Sequence, residues 1–138
     1  MLLVPMRRRM ARKHRREEGF TLVEMMVVIV IIGLLATIVI INVMPAADRA
    51  AVTKARADIS TLESAVEMYR LDTMRYPTTE EGLQALVTDN HIRRLPNDPW
   101  NRPYLYAAPG QNGRPFTIST LGADGQAGGD GENADITN

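Results

Sequence analysis

The sequence predicts an α+β chain: one long N-terminal helix, membrane-spanning in its first half, packed on a small antiparallel sheet. Three observations carry that expectation. From Met25 to Ile41 the chain is uninterrupted by charge, with Gly33 and Thr37 as its only weak points. Beyond Pro45, Val52, Ala55, Ile59, Leu62, Val66 and Tyr69 recur at spacings of three and four, an apolar stripe on one helical face. Near the C-terminus, Tyr104 to Ala107 and Phe116 to Thr120 read as strands, and Pro109-Gly110-Gln111-Asn112-Gly113 between them makes a hairpin.

Taken in order, the first element is a basic leader, residues 1–19. Arg7, Arg8, Arg9, Arg12, Lys13, Arg15 and Arg16 stand there against Glu17 and Glu18. The whole chain has 16 basic and 16 acidic residues, so the part beyond Gly19 keeps 9 basic and 14 acidic and is near −5. A basic cluster directly ahead of an apolar run predicts a cytoplasmic N-terminus. In a bacterium the C-terminal part would then face the periplasm. The competing reading of the cluster, a nucleic-acid-binding tail, is set aside because an apolar segment comes directly after it.

Residues 20–44 form the second element. About 25 residues make roughly 37 Å of helix, enough to span a bilayer. Glu24 at its mouth needs a reason, since a carboxylate near a helix centre costs roughly 2.5–3.5 kcal/mol on insertion scales. Near the headgroups that cost is smaller, and snorkelling alone would account for it. The third element, 45–138, is the exported domain. Pro45 closes the apolar run and is expected to kink or break the helix. A second helix, about 46–74, buries the stripe. Its other faces carry Arg49, Lys54, Arg56, Asp58, Glu63, Glu67 and Arg70, read as a solvated face with Glu63 and Glu67 as alternative inter-subunit partners. Residues 78–103 form a variable loop. In it, Thr78 with Glu81 three residues on reads as a capping box opening a short helix through about Val87. Pro96 and Pro99 exclude regular structure around Trp100, the only tryptophan, which reads as a lid on the core. The hairpin, about 104–120, completes the sheet.

The chemical candidate is the last segment, Leu121 to Asn138. Asp124, Asp130, Glu132 and Asp135, with Asn133, crowd oxygen donors among Gly122, Gly125, Gly128, Gly129 and Gly131. Such oxygen-rich loops suit calcium. The absence of cysteine and the two scattered histidines, His14 and His91, argue against zinc. The EF-hand spacing is missing. By spacing alone the segment reads equally well as a metal loop or an acidic tail. No Ser/His/Asp or Cys/His arrangement and no phosphate-binding glycine loop is present, so no enzyme is expected.

Gly19-Phe20-Thr21-Leu22-Val23-Glu24 after a basic run resembles the class III leader of type IV pilins and pseudopilins. An ordinary secretory signal is cut after its apolar core, whereas this site lies before it. The segments RYPTTEEGLQAL, LPNDPWNRPY and LGADGQAGGDGENADITN are together similar to the major-pseudopilin branch of the type II secretion system. The resemblance implies a type IV pilin-like fold. It also implies cleavage between Gly19 and Phe20 by a prepilin peptidase, N-methylation of Phe20, and pairing of Glu24 with the Phe20 amine of a neighbouring copy. One structural calcium ion is implied in the C-terminal loop, with Asp124 and Asp135 as side-chain ligands and carbonyls of Leu121 and Gln126 assisting. Asn133 stands where many relatives have Asp, and Asp130 and Glu132 are additional candidates. The implied partners are other copies in a helical homopolymer, minor pseudopilins, the prepilin peptidase, an inner-membrane platform protein and, indirectly, an assembly ATPase; no nucleic acid is expected. The implied place is the inner membrane, then a periplasmic fibre that exports folded proteins. Two alternatives stand beside this one: a type IV or competence pilin, and a membrane-anchored calcium-dependent enzyme or binding module.

Overall fold

The computed structural model describes residues 19–138; the basic run and the rest of the leader lie outside the described residues. The chain falls into two units divided between Val39 and Ile40. Helix α1, Leu22–Thr73, is the one long element among the described residues. It opens on Thr21, whose hydroxyl accepts the Glu24 N–H at 3.1 Å, an N-cap with its acidic residue in the first turn. Along the apolar stretch every residue is exposed. The one hydroxyl in its middle, on Thr37, donates back to the Gly33 carbonyl at 2.9 Å.

Pro45 lies inside α1, and the helix neither ends nor restarts there. A proline removes one backbone donor, and the alanines at 46 and 47 are among the best helix formers. In the second unit, Ala55, Ile59, Leu62, Ala65, Val66 and Tyr69 are buried on one face of α1, with Val52 packed at the edge. The expected stripe is thus the core side of the helix. Each large side chain buried there is worth about 1.5–3 kcal/mol. Met74 then takes a left-handed conformation, φ 62°, and ends the element.

On the opposite faces Arg49, Lys54, Arg56 and Arg70 are exposed as expected, while Asp58, Glu63 and Glu67 are partly covered. Glu67 accepts the Tyr76 hydroxyl at 3.1 Å and lies 3.6 Å from Arg70. Glu63 receives the Asn138 amide at 3.5 Å. Both carboxylates are half-buried by the segments that fold back on α1.

After α1 the Thr78–Glu81 capping box forms in both directions: Glu81 N–H to the Thr78 hydroxyl at 3.2 Å, and Thr78 N–H to the Glu81 carboxylate at 2.9 Å. It does not open the predicted helix, because Gly82 at φ 59° turns the chain aside. Helix α2 is confined to Gln84–Thr88 and buries Leu86. Arg75 grips Glu81 through two bonds of 2.7 Å, so the box serves the turn. That fork, with the Thr78 N–H, holds the Glu81 carboxyl down at about 2.

Strands β1, Leu105–Ala107, and β2, Thr117–Thr120, pair antiparallel as the hairpin predicted, with Tyr106 opposite Ile118. A third strand, β3, Ile136–Thr137, pairs antiparallel with β2, Thr120 opposite Ile136. The sheet order is β1-β2-β3. The C-terminal segment therefore ends as sheet, which the reading of 121–138 as one loop did not contain. Phe116, Ile118 and Ile136 join Tyr104, Leu83 and Leu86 in the core against α1.

Candidate functional site

At the amino end, Gly19 and Phe20 precede the helix and both are exposed, Phe20 by 77%. A peptide bond outside regular structure is what a protease needs to bind in extended form. Glu24 stands in the first turn of α1, one turn from Phe20, where a negative charge complements the helix dipole.

The C-terminal loop links β2 to β3. Its two limbs are joined where the Ala123 N–H donates to the Glu132 carbonyl at 2.9 Å. Asn133 is the pivot, because Gly122 and Gly129 both press on its backbone. A Cβ on Gly122 would come within 2.7 Å of the Asn133 carbonyl, and one on Gly129 within 2.6 Å. Both glycines also have left-handed φ, 69° and 95°. The bends beyond are closed by carboxylates: Asp124 accepts the Gln126 N–H at 3.0 Å, and Asp135 accepts the Gly128 N–H at 3.0 Å. The second oxygen of each has no protein partner among the described residues. Asp130 is exposed, and its carbonyl accepts the Asn133 N–H.

Of the predicted ligands, Leu121, Asp124, Gln126, Asn133 and Asp135 share this closed loop. Glu132 is turned elsewhere. Its carboxyl shares an open groove with Asp48 of α1, and that neighbouring acid raises its pKa. Among the described residues no three His, Cys, Asp or Glu converge as a metal cluster. Any ion here would draw on two carboxylates plus the Asn133 amide and backbone carbonyls. That all-oxygen donor set fits a hard cation such as calcium.

One buried polar group beside the loop was missed by reading the sequence. Asp98 is 4% exposed, yet its carboxylate is fully engaged. One oxygen accepts the N–H groups of Trp100 at 3.0 Å and Arg102 at 2.8 Å; the other accepts the Thr120 hydroxyl at 2.6 Å. Arg102 returns toward it, Nε at 3.5 Å, and donates from Nη2 to the Gly122 carbonyl in the loop. Helix α1 holds the same turn from the other side. Lys54 reaches Asp58 at 2.6 Å and the Asn97 carbonyl at 3.4 Å, while Tyr104 donates to Asp58 at 2.7 Å. Burial, then the Asp58 bond, pushes the Tyr104 hydroxyl well above its ordinary range. Asp98 ahead of Pro99-Trp100-Asn101 is an Asx-turn signal, and that cue could have found it.

Comparison with known proteins bears on both ends. Residues 42–138 match the family model described as type II secretion system (T2SS), protein G, and residues 14–40 match the prokaryotic N-terminal methylation motif. Type II secretion system core protein G of Pseudomonas aeruginosa is 45% identical, across 91% of this chain and 97% of its own. The protein of the same description from Vibrio cholerae serotype O1 is 47% identical, across 92% and 94%. The crystal structure of the major pseudopilin from the type 2 secretion system of enterohaemorrhagic Escherichia coli superposes with a TM-score of 0.59. It is 41% identical and covers 70% of this chain and 93% of that one.

Proposed function

The chain belongs to the type II secretion system protein G family, and from that membership we propose how it works as a subunit of the type II secretion pseudopilus. The observation that carries the reading is the apolar first half of α1. Its 18-residue window of mean hydropathy 3.0 has no residue buried among the described residues. A helix so apolar all round needs lipid, and later other copies of itself. It anchors the precursor in the inner membrane, with the N-terminus cytoplasmic and residues 45–138 periplasmic.

Cleavage after Gly19 by a prepilin peptidase frees the Phe20 amine, which is then methylated. Glu24, one turn away, pairs with the amine of a neighbouring copy as the helices pack. Pairing two opposite charges removes from lipid a cost that each carries alone. Minor pseudopilins, the platform protein and the ATPase behind it would act on this same helix bundle. The subunit has no catalytic task; its work is to polymerise.

The C-terminal loop holds one structural calcium ion, through Asp124, Asp135 and Asn133 with carbonyls of Leu121 and Gln126. Bound there, the ion offsets the ordering entropy of a glycine-rich segment, about 1–2 kcal/mol per residue. This chain has no cysteine for a disulfide in that place.

The reading is tested on the full chain expressed with its secretion machinery. Mass spectrometry should find the mature chain starting at Phe20 with one added methyl group. Glu24→Ala should leave cleavage intact and abolish cross-linkable polymers. Polymers persisting at wild-type level in Glu24→Ala would remove the pairing step, and a chain retaining residues 1–19 would remove the processing step.

A further inference from the structure

We propose that buried Asp98 and its partly exposed partner Arg102 form a strut that holds the C-terminal loop at its entry. Arg102 is thereby a positioning residue for the loop and for its calcium ion; only this second role rests on the calcium reading above. Three contacts of one guanidinium carry the proposal. Its Nε faces the Asp98 carboxylate at 3.5 Å, its Nη2 donates to the Gly122 carbonyl, and its Cζ lies 5.9 Å from the Trp100 ring centre. It also fills the space beside Gly125, where a Cβ would collide with Nη1. The bend between Leu121 and Gln126, which supplies both proposed carbonyl ligands, is therefore shaped around a side chain from outside the loop. Asp98 in turn is fastened to β2 through Thr120, so the strut has a rigid base.

Two effects of Arg102 on a nearby cation oppose one another. Its positive charge would repel calcium, and its fork would hold the carbonyls in place. The Asp98 carboxylate, buried and in contact, neutralises the charge at distance and leaves the fork intact. Positioning should therefore win. Lysine cannot replace it, because a point charge cannot span carboxylate, carbonyl and ring together.

The test uses the full chain in detergent micelles, as wild type, Arg102→Lys, Arg102→Met and Asp98→Asn. Amide hydrogen exchange is followed in chelator at Ala123, Gln126 and Gly128, with the α1 core amides from Ile59 to Val66 as the fold control. Calcium affinity is read separately by calorimetry. Both Arg102 variants should speed loop exchange roughly tenfold or more with the core unchanged, as loss of a charge-assisted bond implies. Calcium affinity should fall several-fold in both, and Asp98→Asn should move the loop in the same direction. Loop exchange equal to wild type in Arg102→Lys and Arg102→Met overturns the strut. Tighter calcium binding by Arg102→Met with Arg102→Lys unchanged overturns the positioning role in favour of simple repulsion. Should Arg102→Met loosen the whole fold, Arg102→Lys decides. If wild type takes up no calcium, the calcium reading fails, while exchange in chelator still decides for or against the strut.

Discussion

Between Ala55 and Tyr69 the chain is held by area; between Leu121 and Asp135 it is held by single hydrogen bonds and the shape of glycine. In the first region six side chains of α1 are buried against the sheet and α2, and each neighbour shares the load. In the second, one N–H closes the two limbs, two carboxylates close the bends, and two glycines leave room for the Asn133 backbone. Dispersion and burial are non-directional, so the helix tolerates many sequences that keep its stripe. The loop tolerates few, because each of its ties is directional and has no deputy.

The largest test of that contrast is Leu62→Ala, at a side chain 1% exposed. It should cost about 2–5 kcal/mol in urea unfolding of the full chain in micelles. A loss below about 1 kcal/mol would mean that the helix is not held by area. Removing calcium comes next. Chelation of a site filled at a hundredfold above its Kd should withdraw about 2.7 kcal/mol, and magnesium should not restore it. Thermal unfolding curves that coincide with and without calcium would leave the loop to its hydrogen bonds alone. Gly122→Ala ranks third, at about 1–3 kcal/mol of backbone strain and close contact. Hydrogen exchange should show that cost in the loop rather than in α1; uniform loss in both would erase the distinction between the regions.

The smallest effect concerns pH. The Glu81 carboxyl is held at about 2 against an ordinary 4.5, first by the Arg75 fork and then by the Thr78 N–H. A lowered carboxyl pKa stabilises the fold above the ordinary value and loses that help as pH falls from 4.5 toward 2. Glu81→Gln should flatten this acid slope in the melting temperature and leave the slope above 4.5 unchanged. An identical acid slope in both proteins would assign it to other carboxylates.

What could be read from sequence split along the same divide. The α1 stripe and the hairpin are periodic, and period survives without coordinates. Helix α2 was overestimated because the capping box is local chemistry; a glycine directly after it, Gly82, redirects the chain regardless. Strand β3 has two residues, too few for alternation to register, and exists because β2 offers an edge. The Asp98–Arg102 strut joins residues 20 or more apart, Thr120 and Gly122, to a proline-rich turn. Only folding brings those together. The carboxylates of the loop were visible as composition, but that Glu132 would face Asp48 was not.

Thr37 has a quieter meaning. Its hydroxyl is tied back to Gly33 within its own helix, so the middle of the apolar segment presents no open polar rung at mid-depth. A helix of that kind has no notch in its middle at which lipid would hold it; among the described residues Glu24, at its amino end, is the charge that marks its depth there. A subunit drawn upward out of the bilayer into a growing fibre would thus meet its resistance in a single step, at one end, rather than as a series of catches along the way.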